Sequence, residues 1–274
     1  MTATPLDRLR SRVASLGAPL CLGIDPHPDQ IPDGLPGGLA GIERFARGIV
    51  EAAGPHAAAV KVNIAFFEAF GSAGLAALER LREDVPPDLF FVLDAKRGDI
   101  GSTAERYAEA ILGRLRADAV TLSPYLGEDA IEPFLAVPDR VVYVLARTSN
   151  PSAGTLQDLL VGDEPLHERV ARWVAGRWPN GRVGLVVGAT ASDELRRLRD
   201  LVPGPAFLVP GVGAQGGDLG AAVACCDGAD APGLVNVSRG IAGASRGDDW
   251  KEAAAAAASS LQARMRELGA TLEA

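Results

Sequence analysis

The stretch "DAKRGDIGST", from Asp94 to Thr103, sets a lysine two residues after one aspartate and three before another, directly behind the apolar run "LFFVL". Residues two apart on a strand point to the same face. Asp94 and Lys96 therefore share a side, and burying them against outer helices would be costly. Flanking carboxylates favour the charged ammonium form of Lys96. A charged lysine is a poor Schiff-base nucleophile but a good electrostatic anchor and a proton donor to a strongly basic intermediate. A carboxylate beside the substrate would also favour a reaction in which negative charge leaves or spreads. Asp25 in "GIDPHPD", and Lys61 and Asn63 in "AVKVNI", stand at the ends of two other apolar runs and can join the same cluster. The alternative is a structural ion-pair network at a rim, since such networks also perturb ionisable groups.

Further along, "PGVGAQGGDLG" (210–220) contains G-x-G-x-x-G as Gly211, Gly213 and Gly216. A dinucleotide fingerprint follows the first strand of its fold, whereas this one comes late and opens on a proline. "NVSRGI" then supplies Arg239, with the backbone N–H groups around Gly240 beside it. Arginine grips phosphate through two donors at once, so the two segments together read as a phosphate site. The competing reading is a flexible loop, with Gln215 either orienting a ligand as an amide or idle in solvent. In "ARTSNPSAG", Ser149 and Asn150 can hydrogen-bond a polar ring or serve as local turn residues. His27, His56 and His167 are scattered, and no nucleophilic triad or zinc motif can be assembled.

The elements that would position these residues alternate down the chain. Candidate strands are 19–25, 58–64, 89–96, 118–124, 140–146, 182–188, 206–211 and 233–238, with helices expected at 39–54, 66–84, 102–116, 164–177, 191–201 and 249–268. Several strands are apolar on both faces, as parallel strands covered by helices must be. Eight strand–helix units favour an α/β fold of the (β/α)8 TIM-barrel type over an open sheet. In such a barrel chemistry sits at the C-terminal strand ends, with phosphate bound after strands seven and eight, which is where the polar and glycine-rich positions fall. The expected organisation is one domain over 1–274, with an N-terminal helix at about 4–16 and a C-terminal helix at about 249–268.

Composition agrees with a folded α/β protein: 274 residues, 47% hydrophobic and 23% charged. A net charge of −8 without a basic run argues against nucleic acid or anionic membrane as a partner. The N-terminus is charged where a signal peptide needs an apolar stretch, and no apolar run reaches transmembrane length. Cys21, Cys225 and Cys226 form no metal-ligand spacing, so a reduced, cytoplasmic protein is expected.

"LDAKRGDIGSTAERYA" strongly resembles the D-x-K-x-x-D-I-x-x-T signature of the orotidine 5′-phosphate decarboxylase family. "GIDPHPD", "AVKVNIAFFEAFG", "RTSNPSAG", "PGVGAQGGD" and "VNVSRGI" resemble its other blocks, in order, over roughly residues 20–245. The longer loops are similar to those of its bacterial branch. The resemblance implies a cofactor-free, metal-free homodimeric barrel that converts orotidine 5′-monophosphate to UMP and carbon dioxide in pyrimidine biosynthesis. It implies that Lys96 protonates C6, that Asp94 faces the departing carboxylate, and that Lys61 and Asp99 complete the charged array. Asp25 and Lys61 are then expected at the ribose, Ser149 at the pyrimidine, Gln215 between ring and phosphate, and Arg239 with Gly240 at the phosphate. Asp99, Ile100 and Thr103 are expected to reach into the partner's site. "NVSRGI" matches the family at its arginine more than around it. Two rivals are a metal-dependent sugar-phosphate decarboxylase or epimerase of a related barrel group and a noncatalytic nucleotide-binding barrel. The first needs converging oxygen ligands, and Lys61 stands where an acid would help; the second needs the phosphate grip without an intact charged array.

Overall fold

Eight parallel strands close into a barrel in the computed structural model, which describes residues 3–213 and 216–272. They are β1 (Leu20–Ile24), β2 (Ala59–Asn63), β3 (Phe90–Arg97), β4 (Ala119–Leu122), β5 (Val141–Arg147), β6 (Val183–Val187), β7 (Phe207–Pro210) and β8 (Leu234–Val237). They follow one another around the barrel, and β8 pairs back onto β1. The expected (β/α)8 architecture is the observed one. β1, β6 and β8 are buried along their whole length, because one face meets the helices and the other fills the barrel.

Alternation along the strands sorts the core into two layers. Leu22, Val60, Leu93, Val120, Val144, Leu185 and Val209 face outward and pack against helix residues such as Ile49, Leu78 and Leu198. Cys21, Ala59, Phe90, Val92, Ala119, Tyr143, Leu208 and Leu234 face inward. The helix Pro5–Leu16 adds Leu9, fully buried, to this inner cluster. That helix starts at a capping box between Thr4 and Asp7 and stops at Gly17, whose left-handed φ of 62° suits glycine. Burying Leu9 contributes about 2 kcal/mol.

Several helices depart from expectation. The stretch 66–84 is broken into Ala65–Glu68 and Gly71–Asp84, where Gly71 turns with φ 60°. The stretch 102–116 is an α-helix only over Gly101–Ala108 and continues as a π-turn over Glu109–Arg114. An antiparallel pair, Leu160–Val161 with Glu164–Pro165, precedes the helix Leu166–Arg177; strands of two residues carry no readable period. The last helix, Trp250–Leu272, extends past the 268 expected and packs Trp250 against Phe45 at 5.4 Å between ring centroids.

Candidate active site

One step of two residues along the inward face replaces the apolar layer by a polar one. Ala59 leads to Lys61, Val92 to Asp94, Ala119 to Thr121 and Leu234 to Asn236, and all four polar residues line a cavity of about 740 Å³ at the C-terminal end of the barrel. The volume suits a small-molecule ligand. Leu145, Val186, Leu208, Pro210 and Phe66 add an apolar wall, and Asp25, His27, Ser149 and Arg239 complete the rim.

The charges touch in a chain. The β2–β3 register sets Asn63 opposite Asp94 and Lys61 opposite Val92. Lys61 Nζ lies 2.9 Å from Asp94 Oδ2 and 3.6 Å from Asp25 Oδ1, and Lys96 Nζ lies 2.6 Å from Asp94 Oδ1. Burial by itself would raise the Asp94 carboxyl; the two ammonium groups more than offset it and hold it well below the usual carboxylate range. Burial likewise acts to lower Lys61, but Asp25 and Asp94 reverse that and keep it above the ordinary lysine range. The Thr121 hydroxyl donates to Asp94 Oδ1 at 2.8 Å. The Ser238 hydroxyl donates to Asp25 Oδ2 at 2.5 Å. Ser238 reaches across β1 only because Gly23 has no side chain: a Cβ there would sit 1.8 Å from Ser238 Oγ.

Opposite this cluster, Ser149 lies in a loop seated against Gly188, where a Cβ would come within 2.9 Å of the Ser149 backbone nitrogen. The loop is tied down by Gln157, whose Oε1 accepts from the Thr148 backbone N–H at 2.9 Å. Arg239 opens the short helix Arg239–Ala242, is exposed, and forms no ion pair among the described residues. Its guanidinium is thus available to an anion in the cavity.

Of the residues singled out from sequence, Asp25, Lys61, Asp94, Lys96, Ser149 and Arg239 line one cavity. Gly240 is exposed and stands outside its wall. Gln215 lies outside the described residues. Asp99, Ile100 and Thr103 do not line this chain's own cavity. They sit on the rim beyond β3, Asp99 half-buried with Oδ1 accepting from the Ile100 N–H at 2.8 Å, Ile100 51% exposed, and Thr103 exposed. Sequence reasoning missed Thr121 and Asn236. Both were signalled by being the lone polar residue of an apolar strand, at the same parity as an inward neighbour. Ser123, the polar residue directly after β4, is not in the wall. His27 is, with its ring 4.6 Å from that of Phe66 in an edge-on arrangement.

Comparison with known proteins leads to the same chemistry. A family model described as the orotidine 5′-phosphate decarboxylase / HUMPS family matches residues 18–257. The chain is 50% identical over 248 residues to an orotidine 5′-phosphate decarboxylase of Roseiflexus castenholzii, covering 89% of this chain and 90% of that protein. It is 48% identical over 265 residues to that of Bordetella avium, covering 94% and 96%. Among solved structures it is similar to Leishmania donovani OMP decarboxylase, with a TM-score of 0.85, 40% identity, and coverage of 97% and 99%. It is also similar to Leishmania donovani UMP synthase, with a TM-score of 0.87 and 42% identity over 97% of this chain and 56% of that longer one. A barrel mouth with alternating lysines and aspartates, and these relatives across nearly all of its length, place the chain in the orotidine 5′-phosphate decarboxylase / HUMPS family.

Proposed function

We propose that this chain converts orotidine 5′-monophosphate to UMP and carbon dioxide without a cofactor, with Lys96 as the proton donor. The observation that carries this reading is the continuous contact Lys61–Asp94–Lys96 on the cavity wall, 2.9 and 2.6 Å. In the reaction the bond from C6 to the carboxylate breaks, carbon dioxide leaves, and the bonding electrons stay on C6. The Lys96 ammonium stabilises that developing charge and then transfers a proton to C6. Solvent returns the proton to the neutral amine. Asp94 faces the departing carboxylate and also keeps Lys96 in place. Asp25 and Lys61 take the ribose, Ser149 the pyrimidine edge beside the apolar wall, Gln215 bridges ring and phosphate, and Arg239 with Gly240 takes the phosphate. Grip on the remote phosphate supplies binding energy for holding the carboxylate near Asp94.

The metal-dependent reading asks for oxygen ligands free to converge on an ion, but here the Lys61 ammonium stands between Asp25 and Asp94. We further propose a cytoplasmic homodimer in which Asp99, Ile100 and Thr103 enter the partner's cavity. Support comes from their position outside their own cavity and from exposed apolar side chains nearby, Ile100 at 51%, Tyr107 at 36%, Tyr125 at 82% and Leu126 at 46%.

The test follows substrate absorbance with EDTA-treated protein, beside Lys96→Ala. Turnover by the wild type that survives EDTA and vanishes in the variant supports the assignment. Tight UMP binding without turnover would leave a noncatalytic nucleotide-binding barrel. Mixing inactive Lys96→Ala and Asp99→Ala proteins checks the dimer: a shared site regains up to about a quarter of wild-type activity by random reassortment, and a site built within one chain regains none.

A further inference from the structure

We propose that Thr121 is the positioning residue that holds the Asp94–Lys96 corner of β3 in its reactive geometry. This inference rests on the decarboxylase reading and adds a residue to it. β3 and β4 are in register at Leu93 with Val120, and again at Arg97 with Leu122. Between those pairs β3 runs through Asp94, Ala95 and Lys96, while β4 offers Thr121 alone. β3 therefore bulges, and a bulge leaves backbone groups without ladder partners. The two amides so released, Ala95 N–H and Lys96 N–H, both donate to Thr121 Oγ1 at 3.0 Å. The same hydroxyl donates its own hydrogen to Asp94 Oδ1 at 2.8 Å.

A hydroxyl has one hydrogen and two lone pairs, so every bonding site of this one is used and its rotation is fixed. Thr121 is 1% exposed, so its hydroxyl is committed to these protein partners. Lys96 meanwhile has a φ of 46°, in the left-handed region that a residue with a side chain enters at a cost of about 1–2 kcal/mol. The bifurcated bond to Thr121 compensates for that strain at the residue whose Nζ returns 2.6 Å to Asp94 Oδ1. One side chain thus satisfies the bulge, supports the strained lysine backbone and orients the carboxylate between the two ammonium groups. Thr121 does this from a neighbouring strand, so the D-x-K motif does not set its own geometry.

The experiment compares Thr121→Val, Thr121→Ser and Thr121→Ala for kcat, KM and UMP affinity, with circular dichroism as a check on folding. Valine keeps the shape and removes all three hydrogen bonds. With the proton donor displaced by ~1 Å, kcat is expected to fall about 100-fold. KM and UMP affinity are expected to stay within about threefold, because the phosphate grip is elsewhere. Serine restores the hydroxyl, and its kcat is expected within about fivefold of wild type. If valine prevents folding, serine and alanine decide the matter, since both lack the methyl group and differ only in the hydroxyl. A wild-type kcat in the valine or alanine variant overturns the inference, as does a serine variant no better than alanine. So does a loss confined to KM and UMP affinity. An inactive wild type would instead defeat the decarboxylase reading, a separate failure.

Discussion

Replacing Lys61 by methionine is expected to destabilise the fold and to do so in a pH-dependent way. The side chains have similar reach, so the change removes a charge with little change of packing. Lys61 is 5% exposed at the side chain and lies 2.9 Å from Asp94 and 3.6 Å from Asp25. At an effective dielectric constant of about 20, those contacts correspond to ~6 and ~5 kcal/mol of gross attraction. Desolvation of the buried ions offsets several kcal/mol each, so removing one partner is expected to leave a net loss of about 3–5 kcal/mol. For a chain of this size that corresponds to a fall of roughly 10 °C in Tm. The Asp94 carboxyl is depressed in the folded state, so its contribution is complete above the unfolded value near pH ~3.9 and fades as pH falls. Lys61 is raised, so its contribution is complete below about pH 10.4 and fades as pH rises. The gap between wild type and Lys61→Met should therefore be flat from about pH 5 to 9 and narrow on either side. Urea unfolding at fixed protomer concentration across that range measures it. A variant as stable as wild type, or a gap that grows in acid, would refute the reasoning.

Three further outcomes follow from the same contacts. Arg239→Ala is expected to lower kcat/KM at least about 100-fold, mostly through KM, by removing charge-assisted phosphate bonds; steady-state kinetics giving KM within threefold of wild type would contradict this. Gly23→Ala forces a Cβ to within 1.8 Å of Ser238 Oγ. It should cost about 1–3 kcal/mol by thermal melting and raise KM as Asp25 loses its hydroxyl partner; an unchanged Tm would count against it. All three cysteines are buried and free, and burial pushes the Cys21 thiol up to about 12 and raises Cys225 and Cys226 as well. Ellman's reagent at pH 8 should label none in the native protein and all in denaturant, and a fast-reacting native thiol would be the contrary result.

What the sequence by itself determined was local or periodic. Alternation within runs such as "AVKVNI" and "DAVTLSP" specifies inward and outward faces. Their repetition specifies a barrel, and the polar residues at their ends specify which mouth is reactive. The spacing of Asp94 and Lys96 predicted one carboxylate and one ammonium on a common side, and the fold brings them together there through a bulge instead of regular strand alternation. Contacts between distant residues were decided only by closure of the barrel. Lys61 meets Asp94 through the β2–β3 register, and Ser238 meets Asp25 because β8 returns to β1. The bulge that turns Lys96 back onto Asp94 is stapled by Thr121 from the next strand, so the motif alone does not reveal it. Asp99 belongs to the same motif, yet the chain turns after Gly98 and carries it out of the cavity. Register and closure depend on how all eight strands pack at once, and no short stretch of sequence contains that information.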